Sequence, residues 1–203
     1  MWSRELAVEG AIEFTARRFP DDRGFFVSPY QQPAFVEAAG KPLATVAQAS
    51  YSCSRRGVLR GVHFTRTPPG CAKYVYCPQG AVLDFVVDLR VGSPTFRRWD
   101  SVVLDPVDCR SVYLPVGVGH AFFALEDGSV MTYLLSESYV PEQELGLAVL
   151  DADLGLPIPA GPLVLSERDR TAPTLAEATK AGILPDYPTC LALEKQPAGV
   201  LDS

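Results

Sequence analysis

Between residues 45 and 136 the sequence repeats one local pattern, a short run favouring valine and aromatic residues followed by a turn signal containing glycine, proline or aspartate. Short runs of this composition and spacing are typical of consecutive antiparallel strands. The predicted strands are residues 45–49, 57–64, 72–77, 81–89, 99–104, 111–114, 120–125 and 130–136. The pattern therefore predicts an all-β fold, an antiparallel sandwich or barrel.

The flanking segments are less regular and predict fewer elements. These are strands at residues 6–15 and 25–27 and helices at residues 32–39 and 174–181. Beyond Pro141 the sequence is otherwise irregular and rich in proline. No Gly/Ser-rich or charged linker divides the chain, so residues 1–203 are expected to form one domain, with residues 186–203 as a loose C-terminal tail.

Composition narrows the functional class. No segment approaches the roughly 20 apolar residues of a membrane span, and the N-terminus lacks the apolar core of a signal peptide. The five cysteines are an odd number without a Cys-x-x-Cys pair, which favours reduced thiols and a cytoplasmic location. We therefore expect no membrane partner.

Charge is distributed unevenly along a chain whose net charge is −6. Residues 17–73 hold nine basic and three acidic side chains, whereas acidic residues dominate the remainder. An acidic protein with a basic first third is a poor nucleic-acid binder, but it can hold a small anion such as a phosphate ester. Scattered, solvated arginines would explain the same numbers.

The chain contains two histidines, His63 and His120, and each lies in a strand-like run with glycine nearby. The first run is Val58-Leu59-Arg60-Gly61-Val62-His63-Phe64, and the second follows Pro115-Val116-Gly117-Val118-Gly119. Two imidazoles facing one pocket, with Lys73, Arg60 and nearby tyrosines, would supply a base, an oxyanion stabiliser and an acid. Inversion of a carbon beside a carbonyl needs those three groups, although both histidines could equally be hydrogen-bonded core residues.

Two geometric questions arise from strand alternation. Arg60 and His63 lie on opposite faces of an ideal strand, so they share a pocket only if Gly61 marks a bulge or twist, or if the arginine reaches round an edge. Asp84 and Asp88 share a strand face with valines, which indicates either a partly polar interior lining or an edge strand.

The Pro-x-Gly-x-x-His element resembles that of cupins, whose usual metal site takes a His-x-His pair and a glutamate from one motif and a histidine from another. Here the first motif is His63-Phe64-Thr65, so the second histidine ligand is missing. We therefore predict a site without a metal, although two histidines completed by distant carboxylates remain an alternative.

Several motifs together resemble the dTDP-4-dehydrorhamnose 3,5-epimerase family, which are metal-free cupins. The Leu59-Arg60-Gly61-Val62-His63 run is similar to the family's Leu-Arg-Gly-Leu-His signature, and other landmarks follow in order from about residue 6 to residue 178. These landmarks are Asp22-Arg23-Gly24-Phe25-Phe26, Gly92-Ser93-Pro94-Thr95-Phe96, Pro115-x-Gly117-x-x-His120, Tyr139-x-Pro141-x-x-Glu144, Leu165-Ser166-Glu167-Arg168-Asp169 and Ala172-Pro173. The resemblance implies a cupin-type jelly-roll sandwich with a few short peripheral helices.

The resemblance also implies roles for individual residues. His63 would remove the proton beside the C4 ketone of a dTDP-4-keto-6-deoxyhexose with Asp169 as its partner, Lys73 would stabilise the enolate, and Tyr133 would return a proton from the opposite face. The implied substrate-binding residues are Arg23, Phe26, Gln48, Ser50, Arg60, His120, Tyr139, Glu144 and Arg168. Inversion is expected at C5, and inversion at C3 as well is an alternative. The reaction is expected to need no cofactor. The resemblance further implies a homodimer whose subunits exchange N-terminal strands, so that Arg23 reaches a neighbouring chain.

This sequence departs from the family pattern at Ser28, Ser50, Thr65 and Arg168, where the family commonly has glutamate, asparagine, glutamine and lysine. These changes imply a related sugar, such as a deoxy or amino-deoxy hexose of a natural-product pathway. Other hypotheses are a nucleotide-sugar binding protein without activity, a 3,4-ketoisomerase and a metal-dependent cupin.

Overall fold

A computed structural model describes residues 1–195, which are mostly antiparallel β-structure. The strands are β1 (Trp2–Glu5), β2 (Ile12–Thr15), β3 (Arg18–Asp21), β4 (Gly24–Val27), β5 (Gln48–Ser54), β6 (Leu59–Thr65), β7 (Lys73–Gln79), β8 (Val82–Asp88), β9 (Trp99–Leu104), β10 (Arg110–Leu114), β11 (Val118–Ala124), β12 (Ser129–Leu135) and β13 (Glu144–Gly146). The helices are α1 (Gln32–Ala39), α2 (Glu167–Arg170), α3 (Leu175–Lys180) and α4 (Tyr187–Lys195), with a 3₁₀ turn at Pro141–Gln143.

Two sheets form the body of the fold, in the orders β1-β2-β10-β7-β12-β5 and β13-β6-β11-β8-β9. Inward side chains from both sheets meet in one apolar core that includes Val75, Met131, Val86 and Phe122. Because side chains alternate between the two faces of a strand, the others point outward and pack against the helices and the C-terminal segment. The predicted all-β, cupin-type sandwich with short peripheral helices is confirmed.

Two strand predictions are wrong in their boundaries. Only residues 12–15 of the strand expected over residues 6–15 form a strand, β2, and residues 6–11 connect it to its hairpin partner β1. The strand expected at residues 45–49 is β5, which begins at Gln48 and continues to Ser54. Its inward positions are polar rather than apolar, so a search for apolar runs stops short of it.

The helices are short, and none within residues 1–195 has the length and apolar character to cross a membrane. The tail expected to be loose from residue 186 in fact contains α4. Cys190 of this helix is buried, and the carboxylate of Glu194 accepts hydrogen bonds from the Val116 backbone N–H and the Tyr113 hydroxyl. The rest of the predicted tail, residues 196–203, lies outside the described residues.

Strand β8 lies inside its sheet, hydrogen-bonded to β11 on one side and β9 on the other. Val82 and Val86 belong to the core between the sheets, so Asp84 and Asp88, at the same phase of the strand, also face inward. The interior-lining interpretation is therefore confirmed, and the edge-strand alternative is wrong.

A bulge at Gly61 changes which sheet face the side chains of β6 point to. His120 of β11 lies opposite His63, but two residues further along β11 Phe122 lies opposite Arg60, so β6 carries one extra residue. Gly61 adopts φ +108°, a conformation that glycine accepts and other residues avoid. Leu59 and Val62 consequently both pack in the outer cluster. Arg60 and His63 share the inner face, as the bulge hypothesis required.

We predict that Gly61→Ala destabilises the fold more than Gly92→Ala. Both glycines have positive φ, which costs about 1–2 kcal/mol for an L side chain. A methyl group at Gly61 would also overlap the His120 carbonyl oxygen and lie 2.7 Å from Ala121 Cα, whereas one at Gly92 meets nothing within 4 Å. The collision should add about 1–3 kcal/mol to the loss in free energy of unfolding, measured by denaturant titration. Equal losses would contradict this account.

Candidate active site

The imidazole of His63 is paired with a carboxylate from far along the chain. His63 Nε2 lies 2.6 Å from Asp169 Oδ1, which joins β6 to the short helix α2. The Ser166 hydroxyl caps this helix by accepting from the Asp169 N–H at 3.1 Å, which fixes the position of the carboxylate. The His63 side chain stays 29% exposed, while that of Asp169 is 5% exposed. The ring is therefore held by a buried partner but accessible.

Asp169 remains a carboxylate in this environment. Burial alone would raise its pKa, but the hydrogen bond and charge of His63, the Ser166 hydroxyl and the charge of Arg168 together lower the pKa below its ordinary value. An ionised carboxylate beside an imidazole fixes the ring's orientation and stabilises its protonated form. His63 with Asp169 thus has the arrangement of a general base.

Tyr133 of β12 lies in the opposing sheet and packs against the inner core. Its hydroxyl is 3.2 Å from the Ser52 hydroxyl, and its ring meets that of His120 edge-on at a centroid distance of 6.0 Å. Burial raises the pKa of Tyr133 to about 12, with Ser52 and Arg60 acting in the opposite direction and Asp84 adding to the rise. The phenol is therefore protonated at neutral pH and can act as a proton donor.

A second imidazole–carboxylate pair lies deeper between the sheets. His120 Nε2 is 2.5 Å from Asp84 Oδ1, and both residues are buried. Burial raises the pKa of Asp84, while the charge and hydrogen bond of His120 oppose the rise. The other oxygen, Asp84 Oδ2, has no hydrogen-bond partner among the described residues. His120 was predicted to line the sugar site, but its partner in β8 was not predicted.

Lys73 lies at the same level on the inner face of β7. Lys73 lies two residues before Val75 on β7, and Val75 pairs with Tyr133 while Lys73 pairs with Leu135. Because side chains alternate along a strand, Lys73 faces the interior as Val75 does. Lys73 is buried and forms no ion pair within residues 1–195. Because a buried ammonium without a counter-ion is costly, the position suits the negative oxygen of a ligand.

The inner face of edge strand β5 consists of hydrogen-bonding side chains. The Arg60 Nε–H donates to the Ser54 hydroxyl at 3.2 Å. The Gln48 amide donates to the Ser50 hydroxyl at 2.8 Å, and its oxygen accepts from the Tyr139 backbone N–H at 2.8 Å. Strand β5 therefore connects Arg60, inside the fold, with the segment that carries Tyr139 at its rim.

The rim near β13 and α2 gathers the remaining predicted residues. The Glu144 side chain accepts from the Thr65 hydroxyl at 2.6 Å, and the Glu144 carbonyl accepts from the Arg168 guanidinium at 2.9 Å. Tyr139 is 52% exposed and leaves its ring free. Glu144 and Arg168 thus lie near His63, because β13 pairs with β6 and Arg168 precedes Asp169, whereas Tyr139 is joined to β5 through Gln48.

Arg23 and Phe26 are not brought to this site within one chain. They lie on the separate β3–β4 hairpin, where the Arg23 guanidinium pairs with Asp21 and Phe26 is 68% exposed. Within residues 1–195 neither side chain is hydrogen-bonded to His63, Tyr133 or another predicted site residue, so the predicted role of Arg23 in a neighbouring chain stays a prediction.

Sequence reasoning did not predict the residues that hydrogen-bond to the predicted site residues, namely Ser52, Ser54, Thr65, Asp84 and Ser166. A usable signal was present in β5, where Gln48 and three serines alternate with residues that face outward. Among the described residues no group of three His, Cys, Asp or Glu side chains is arranged to hold a metal ion. The expectation of a metal-free reaction remains a prediction.

Comparison with known proteins gives consistent matches over nearly the whole chain. A family model described as dTDP-4-dehydrorhamnose 3,5-epimerase matches residues 5–177. A dTDP-4-dehydrorhamnose 3-epimerase of Streptomyces niveus is 50% identical over 190 residues, covering 94% of this chain and 91% of the relative. A dTDP-4-dehydrorhamnose 3,5-epimerase of Mycolicibacterium smegmatis is 50% identical over 193 residues, covering 95% and 94%.

A solved structure is also similar. It is a 4-keto-6-deoxy sugar epimerase from the novobiocin biosynthetic gene cluster of Streptomyces spheroides, with 49% identity and a TM-score of 0.90. The match covers 94% of this chain and 95% of that structure.

We predict that Asp169→Asn destabilises the fold in a pH-dependent way. A carboxyl with a lower pKa in the folded than in the unfolded chain stabilises the fold above its unfolded pKa, and this contribution is lost as pH falls through the folded pKa. The difference in free energy of unfolding between wild type and Asp169→Asn should therefore be largest at neutral pH and shrink below about pH 3.9.

Denaturant titrations at neutral and acid pH measure this difference. Glu167→Gln is the matched control, because Glu167 belongs to the same helix but its side chain is 83% exposed. A difference for Asp169→Asn that stays constant with pH would contradict the charged, hydrogen-bonded state assigned to this carboxylate.

Proposed function

The chain belongs to the dTDP-4-dehydrorhamnose 3,5-epimerase family, and from that premise we propose that it inverts a carbon beside the C4 ketone of a dTDP-4-keto-6-deoxyhexose. One observation carries the proposal: the His63–Asp169 pair and the protonated Tyr133 belong to opposing sheets that face the same interior. A base on one wall and an acid on the other are the requirement for inversion.

The proposed reaction begins when His63 takes the proton from the carbon next to the ketone, and the electron pair of that C–H bond moves onto the C4 oxygen. Asp169 stabilises the imidazolium that forms. Lys73 stabilises the negative C4 oxygen of the enolate. Tyr133 then gives its proton to the opposite face of the same carbon, which regenerates the ketone with inverted configuration. Every proton moves between side chains, substrate and water, so we propose that no cofactor takes part.

The remaining predicted residues are proposed to bind the nucleotide sugar. Arg60 and the partner chain's hairpin residue Arg23 would bind the diphosphate, since guanidinium forks match phosphate oxygens. Tyr139 would stack on the thymine, with Phe26 of the hairpin nearby. Gln48, Ser50, His120, Glu144 and Arg168 would line the sugar and nucleotide sites.

The position of inversion is proposed from the substrate chemistry together with the names of the relatives. The C4 ketone acidifies the C–H bonds at both C3 and C5, so one base in one pocket can deprotonate either carbon. The names of the two relatives specify position 3, alone or with position 5. We therefore propose inversion at C3, alone or together with the C5 inversion expected from the sequence. The five unpaired cysteines support the proposed cytoplasmic location.

We predict that the protein catalyses deuterium incorporation at C3, alone or together with C5, when it is incubated with a dTDP-4-keto-6-deoxyhexose in D2O. His63→Ala should reduce exchange by about 10²–10⁴-fold because it removes the base. Tyr133→Phe should impair inversion while leaving dTDP binding unchanged.

Proton NMR of the sugar measures position and stereochemistry in one time course. Tyr51→Phe is a suitable control, because this tyrosine is 77% exposed on the outer side of β5. Binding of dTDP without exchange would favour a nucleotide-sugar binding protein instead. Migration of the keto group to C3 would favour a 3,4-ketoisomerase.

We further propose a homodimer in which the exposed β3–β4 hairpin of each subunit completes the site of the other. The exposed side chains of Phe19, Phe25 and Phe26 support this, since an isolated two-stranded hairpin gains stability by packing. Strands β1 and β2 pair within their own sheet, so the proposed exchange is confined to the hairpin.

Co-expression of Arg23→Ala and His63→Ala chains tests this arrangement. If Arg23 acts on the partner's site, each mixed dimer contains one site with both residues intact, so activity should return to about a quarter of wild type when subunits assort at random. Each variant alone is the control. Activity no higher than the average of the two single variants would contradict the exchange.

A further inference from the structure

We infer that Ser52 is a positioning residue for Tyr133: its hydroxyl donates a hydrogen bond to the phenolic oxygen and so directs the phenol's own proton toward the substrate. This inference rests on the proposed function, and it adds a residue to the reaction that none of the motifs described above contains. It concerns the second half of the reaction, in which the proton is returned, rather than its removal by His63.

The inference begins from the geometry of β5. Ser50 and Ser52 pair with Tyr133 and Met131 of the neighbouring strand β12. Met131 lies in the core between the sheets, so both serines face the interior as well. Among described residues the Ser52 hydroxyl, at 3.2 Å, is the hydrogen-bond partner of the Tyr133 hydroxyl. The phenol is therefore held by a fixed group on the edge strand.

The direction of this hydrogen bond follows from the chemistry. A hydroxyl has one proton, and a phenol that donates it to Ser52 cannot donate it to a carbon atom of the substrate. Ser52 must therefore be the donor and the phenolic oxygen the acceptor in the reactive arrangement. The O–H bond of Tyr133 then breaks, its proton forms the new C–H bond, and the electron pair stays on the phenolate.

The phenolate left behind is buried and needs stabilisation until water restores its proton. A hydrogen bond from Ser52 becomes stronger as the oxygen acquires charge. Arg60 acts in the same sense, since both groups lower the pKa of Tyr133 against the effect of burial. Arg60 is itself held by Ser54, two residues along the same strand face. Neighbouring serines of β5 thus hold two groups that bear on one proton transfer.

A purely structural role for Ser52 predicts a different outcome. If Ser52 only fills space beside Tyr133, its loss disturbs the pocket and lowers proton removal and proton return together. If it positions the donor, proton removal by His63 continues, and His63 returns solvent deuterium to the face from which the proton came. The diagnostic quantity is therefore the ratio of exchange with retention to inversion.

The experiment compares Ser52→Thr with Ser52→Val, which have nearly the same shape and differ in the hydroxyl group. In D2O, Ser52→Thr should keep the wild-type ratio of retained exchange to inversion. Ser52→Val should raise that ratio about 10–100-fold, the effect of losing one hydrogen bond to a charged group. Ser52→Ala is a second variant without the hydroxyl and should behave like Ser52→Val.

Tyr51→Phe controls for changes on the other face of the same strand and should leave the ratio unchanged. Thermal unfolding and dTDP binding of every variant identify those that have lost the fold. If Ser52→Val matches Ser52→Thr, or if both half-reactions fall equally in Ser52→Val and Ser52→Ala, the inference is overturned while the proposed function stands. If the wild type neither exchanges nor inverts, the proposed function itself is wrong.

Discussion

The close approach of the Gly61 backbone to strand β11 is the constraint on which the candidate site depends. Because Gly61 has no Cβ and adopts a positive φ, β6 accommodates one extra residue against its neighbour. Arg60 and His63 then face the same interior, although they are three residues apart. Without the bulge, one of them would lie on the outer face among apolar side chains, where an unpaired charge is costly.

Several polar side chains lie inside the otherwise apolar sandwich, and most of them are hydrogen-bonded to another side chain. His63 is held by Asp169, His120 by Asp84, and the guanidinium of Arg60 by a serine. Such pairing offsets the desolvation of each group and fixes its orientation. Asp84 Oδ2 lacks a hydrogen-bond partner and buried Lys73 lacks an ion-pair partner among the described residues, so both could interact with a ligand.

Local sequence signals predicted the elements that have apolar runs bounded by glycine and proline. Strand β9 was predicted with its observed ends, and helix α1 likewise. The predicted boundaries were wrong for elements whose buried or inward-facing residues are not hydrophobic. The inner positions of β5 are polar and hydrogen-bond to Arg60, Tyr133 and the Tyr139 backbone, and α4 contacts the sheet through buried Cys190 and the carboxylate of Glu194. A search for hydrophobic periodicity therefore does not predict either element.

The sequence by itself determined the all-β class and the approximate positions of most strands along the chain, since turn residues and residue composition are local properties. The motif resemblance also associated His63 with Asp169. Only the tertiary structure decided which groups touch, because sheet pairing joins residues at separations that no spacing rule encodes. Asp84 meets His120 across 36 positions, Ser52 meets Tyr133 across 81, and Asp169 meets His63 across 106.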